Sequence, residues 1–77
     1  MDEEAAKEVH RLMREANHLL DTSVRVVMEN CDEKELHAYR RLIGGLMGEI
    51  YLEIMCPIYK QYDDLMPDEL RSPKPAD

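Results

Sequence analysis

Seventy-seven residues allow one small domain, and at this length a core is marginal without a metal, disulfides or self-association. A formal net charge of −7 favours solubility and weighs against broad attraction to nucleic acid or anionic lipid. No apolar run approaches the roughly 20 residues that span a bilayer, and the acidic start Met1-Asp2-Glu3-Glu4 lacks the order of a signal peptide. The expected setting is therefore cytoplasmic, with no membrane contact.

The first element is predicted as a helix over about residues 2–30. Asp2 is a good N-cap, and Glu3 and Glu4 complement the helix dipole. Ala5, Ala6, Val9, Leu12, Met13, Ala16, Leu19, Leu20, Val24, Val26 and Val27 recur at three- and four-residue steps, with Ser23 as a polar gap. The turn spans 30–32. Asn30 is expected to stop the helix in the left-handed conformation, and Asp32 with Glu35 forms a capping-box pattern.

The second helix is predicted over about 33–62. Leu36, Tyr39, Ile43, Leu46, Met47, Ile50 and Ile54 form one stripe at 100° per residue. Gly44, Gly48, Tyr51, Met55 and Tyr62 form a band beside it, so the apolar arc is wider than one partner helix covers. Pro57 lacks a backbone donor and predicts a kink or a restart. Residues 1–66 are thus read as a hairpin, and residues 67–77 as an extended, Pro-rich acidic tail. The fold class expected is all-α: an antiparallel helical hairpin that dimerises into a four-helix bundle.

The cysteines do not suit an internal bridge. Cys31 lies in the turn and Cys56 about 25 residues along the helix, a separation of roughly 37 Å. Cys31, beside the start of the second helix, is a candidate reactive thiol of lowered pKa, with a loop cysteine of no function as the preferred reading.

The surplus apolar arc points to an interface built from Ile43, Gly44, Met47, Gly48, Ile50, Tyr51, Ile54, Met55 and Tyr62. Glycines inside a helix cost about 0.5–1 kcal/mol each relative to alanine, and close approach of another backbone is the usual compensation. Alternatively, the glycines accommodate large side chains of the first helix within one hairpin.

A second pattern is the strip Lys7, Arg11, Arg14, His18 and Arg25 on the outer side of the first helix, which offers a nucleic-acid contact. The overall plan resembles that of the Rop family of small plasmid RNA-binding proteins, also dimers of helical hairpins, and the likeness is one of architecture. It implies RNA or DNA binding along that strip. Glu3 precedes Lys7 by four residues and Asp21 precedes Arg25 by four, and Glu8, Glu15 and Glu29 flank the strip, so a solvated face is the preferred reading.

Glu15-x-x-His18 has the spacing of dimetal-carboxylate bundles, with Glu49 or Glu53 as facing carboxylates. Glu15 and His18 point away from the apolar stripe, so no metal or other cofactor is expected. His10, Asn17 and His37 are read as boundary residues, and Arg40 as reaching Glu29 across the hairpin. Neither Ser23 nor Ser72 has a His–acid pair beside it, so no enzyme is expected. The function expected is that of an adaptor, chaperone-like protein or regulatory subunit. Its partners are a second copy of itself and an unidentified protein.

Overall fold

Two aspartates set where the helices begin. In the computed structural model, which describes residues 1–67, Asp2 accepts the Ala5 N–H at 2.8 Å and opens α1, Glu3–Asn30. Asp32 accepts the Glu35 N–H at 2.8 Å and opens α2, Glu33–Glu49. Each side chain satisfies a backbone donor that would otherwise lack a helical partner. Between them only Cys31 and Asp32 make the reversal, so the helices pack side by side in antiparallel order. The chain is all-α, and no strand occurs among the described residues.

Asn30 does not take the left-handed conformation that was expected of it, since no described residue has positive φ. It remains helical, donating its side-chain amide to the Val26 carbonyl at 2.8 Å. Extended backbone at Cys31 ends the helix instead, with the Cys31 N–H still bonded to the Val27 carbonyl. The extended backbone at Cys31 leads directly to the Asp32 cap, so the reversal needs no left-handed residue.

Beyond α2 the backbone widens into a π-helical segment, Ile50–Met55, then continues as α3, Cys56–Gln61, and a 3₁₀ turn, Asp63–Leu65. The Cys56 N–H reaches back five residues to the Tyr51 carbonyl. Pro57 stands in the first turn of α3 directly after this segment. A proline ring crowds the carbonyl four residues before it, and a wider turn relieves that crowding. The extra residue in the turn also shifts every later side chain around the helix axis. At a uniform 100° per residue Ile54 would face α1 and Met55 would sit to one side; instead Ile54 is 37 % exposed and Met55 4 % exposed. Ile58 and Tyr59 follow Met55 into the core.

Glu33–Gln61 therefore runs as one helix of 29 residues, and an 18-residue stretch of it has a mean hydropathy of 1.3. By length and composition alone this helix is long and apolar enough to cross a bilayer, although no single apolar run in the sequence reaches that length. Glu49 and Glu53 stand in its middle turns, where a carboxylate in hydrocarbon is among the most expensive groups to place. Residues 68–77 of the expected tail lie outside the described residues.

Candidate interaction surface

The surface is defined by what the hairpin leaves uncovered. Its core consists of Ala6, Ile43, Met55, Ile58 and Tyr59, with His10 as a buried polar member, and no large side chain falls below 2 % exposure. Leu19 and Leu42 are 62 % and 68 % exposed, and Leu12, Val26, Leu46 and Leu52 also stand out into solvent. A helix packed on one neighbour buries a stripe of roughly 100°, and Leu46 lies 60° from Ile43, beyond its edge.

Cross-helix contacts show how the two flanks of the hairpin differ. On one flank the Tyr39 hydroxyl donates to Ser23 Oγ at 2.8 Å, and Ser23 in turn donates to the Leu20 carbonyl at 2.6 Å. That pair fills the polar gap in the α1 stripe. On the same side an open groove of about 700 Å³ is lined by Leu20, Tyr39, Arg41, Leu42, Gly45 and Glu49, among others. Leu12, Leu19 and Val26 recur every seven residues just outside Ser23 and Leu20, so the α1 stripe continues the apolar lining set by Leu42 and Leu46.

The opposite flank is polar and closed. His10 Nε2 and the Tyr59 hydroxyl are 2.9 Å apart, with the rings edge to face at 5.4 Å. Burial, then the nearby Arg14 charge, pushes the imidazole below its ordinary value, while burial pushes the Tyr59 phenol up. Asn17 directs its amide to Met55 Sδ at 3.8 Å and keeps a buried Oδ1 with no hydrogen-bond partner. Arg40 Nη2 lies 4.0 Å from Met28 Sδ, so it meets a thioether and not Glu29. His10 and Asn17 were read as boundary residues; the wider turn carries Tyr59 and Met55 over them.

The residues expected to form a dimer seam separate into three environments. Ile43 and Met55 are buried inside the single hairpin. Met47, Gly48, Ile50, Tyr51 and Tyr62 are half-buried, with Tyr51 6.5 Å from Tyr59 ring to ring and the Tyr62 hydroxyl donating to the Met1 carbonyl at 3.0 Å. Gly44 and Ile54 are exposed. A Cβ added at Gly44, Gly45 or Gly48 meets nothing within 4 Å, so none of the three makes room for a side chain of α1.

Sequence reasoning missed Leu42 and Leu52, because both lie among Arg41, Gly45 and Glu49 on the side taken as polar. A findable signal was present. Ala38, Leu42, Gly45, Glu49 and Leu52 recur at steps of four and three, the spacing of a helix seam, and all five are exposed.

The basic strip is largely engaged with its own helix. Lys7 pairs with Glu3 and Glu4 at 3.9 Å, Arg25 with Asp21 at 3.9 Å, and Arg11 with Glu8 at 2.6 Å and Glu15 at 3.4 Å. The Arg11 hydrogen bond holds the Glu8 carboxyl below its usual range. Arg14 contributes its charge to the His10 site, and His18 is exposed on the same face as the strip. Glu15 of the Glu-x-x-His spacing is thus committed to Arg11, and no cluster of metal-ligating side chains occurs among the described residues.

Both thiols are free. The expected lowering at Cys31 is reversed: a hydrogen bond to Glu35, then burial and the charges of Glu35 and Asp32, raise its pKa. No protein-family model, curated protein or solved structure matches this chain.

Proposed function

We propose that the chain is a small, non-enzymatic helical interaction protein that acts as a homodimer, in the manner of an adaptor, chaperone-like protein or regulatory subunit. One observation carries this reading: Leu12, Leu19, Leu42 and Leu46, all between 43 % and 68 % exposed, line one flank of a hairpin that buries no large side chain completely. Apolar area left in water forfeits about 25 cal/mol per Å², and a second apolar face recovers it. A chain of this length, with both cysteines free and no cluster of metal-ligating side chains among the described residues, has few other routes to a stable core.

Light scattering on the wild type and on a Leu42→Glu/Leu46→Glu variant tests the reading. The wild type is expected at twice its 9.0 kDa chain mass and the variant at one chain mass. A wild type at one chain mass overturns the homodimer, and a variant that stays at two overturns the assignment of this flank.

A further inference from the structure

The apolar flank alone does not say how two copies align, but the charges around Gly45 do. Arg41 and Glu49 both line the groove beside Leu42 and Leu46, both are exposed, and neither side chain takes part in a hydrogen bond or ion pair among the described residues. On the outer face of α1, by contrast, Lys7, Arg11 and Arg25 are paired along their own helix. Arg41 and Glu49 stand four residues before and four residues after Gly45. In an antiparallel pair of identical helices related by a two-fold axis, the residue k places before the axis is level with the residue k places after it on the other copy.

Resting on the homodimer reading, we propose that α2 packs antiparallel on α2 of a second copy, with the two-fold axis at Gly45. Arg41 of each copy then meets the partner's Glu49, and the pairing occurs twice by symmetry. Ala38 stands level with the partner's Leu52 in the same register, placing a small side chain against a large one. Gly45, with open space where a Cβ would stand, brings the two backbones together at the crossing point. Leu42 and Leu46 lie alongside that crossing, under cover of the second copy.

Opposite charges in register fix alignment as well as affinity, and shifting the helices by one turn would separate both pairs. The occupant is therefore a second copy of this chain. A foreign helix would have to reproduce the same charge order about a central small residue.

Charge reversal tests this directly, using exposed positions whose change leaves one copy's own packing intact. Arg41→Glu places four carboxylates at the seam and Glu49→Arg places four guanidinium groups there. Each variant alone is expected to dimerise at least about tenfold more weakly than the wild type. Mixed in equal amounts they restore both opposite-charge contacts, so heterodimers form at near wild-type affinity. The doubly swapped chain, Arg41→Glu/Glu49→Arg, dimerises with itself. Circular dichroism on each variant checks that helix content is retained, and the doubly swapped chain serves as the control if either single variant loses it.

A wild type that dimerises, with single variants that dimerise equally well or a mixture that fails to recover, overturns this alignment and leaves the homodimer standing. A wild type that stays monomeric overturns both.

Discussion

At the open end of the hairpin, α1 gives Ala6 and His10 to the core and receives Met55, Ile58 and Tyr59, all at or below 9 % exposure. Towards the turn the same helix carries Leu19 and Val26 at 62 % and 55 %, and α2 opposite it carries Leu42 at 68 %. Similar apolar patterning thus leads to different outcomes. The open end has aromatic side chains, a π segment after which Met55, Ile58 and Tyr59 turn towards α1, and a hydrogen bond from Tyr62 to the Met1 carbonyl. The turn end has two regular α-helices, and no described residue covers the outer half of their apolar arcs. A change in helix type lets one end complete its own packing, whereas regular geometry leaves the outer leucines of the other exposed.

Truncating a core residue at the open end of the hairpin should break the contrast most severely. Ile58→Ala is expected to lower the unfolding free energy by about 2–5 kcal/mol, measured by urea denaturation. The corresponding change at the open flank, Leu42→Ala, should leave helix content unchanged at high concentration and raise the dimer dissociation constant about tenfold, read by sedimentation.

Two smaller changes sharpen the comparison. Tyr59→Phe leaves His10 Nε2 buried without its partner at 2.9 Å and should cost about 1–3 kcal/mol, confined to the open end of the hairpin. Gly44→Ala should move stability the other way, by about 0.5–1 kcal/mol, because its φ is ordinary and a methyl group there meets nothing within 4 Å. Loss of stability in that variant would place a second backbone against Gly44.

Acid supplies the mildest perturbation. The folded-state pKa of His10 is pushed below its ordinary 6.5, chiefly by burial. Its contribution to stability is therefore fully present above pH about 6.5 and is lost as pH falls from there through the folded value. A urea midpoint that drops between pH 7.5 and 5, and drops less in His10→Gln, is the expected result. Proton NMR of the His10 ring should show its titration midpoint below 6.5.

The hairpin was legible in the sequence because α1 keeps one period for 28 residues and a single aspartate cap restarts the chain after the turn. The π segment was not, since a change of period inside a helix has no residue type of its own and Pro57 announces only that something must yield. That hidden step reassigned Ile54 and Met55, and it concealed the link between His10 and Tyr59. Leu42 and Leu52 were obscured differently. Each sits among charged or glycine neighbours, and a wheel drawn to find the core treats that side as solvent. Their place on one exposed apolar flank emerges only once Ile43 is fixed as the residue that faces α1.

The dependence of one copy on another is most directly tested by following the thermal unfolding midpoint over a hundredfold range of protein concentration. Folding coupled to dimerisation makes that midpoint rise as concentration rises. A cooperative transition whose midpoint is the same at every concentration would show that a single hairpin is stable by itself, and would contradict the account.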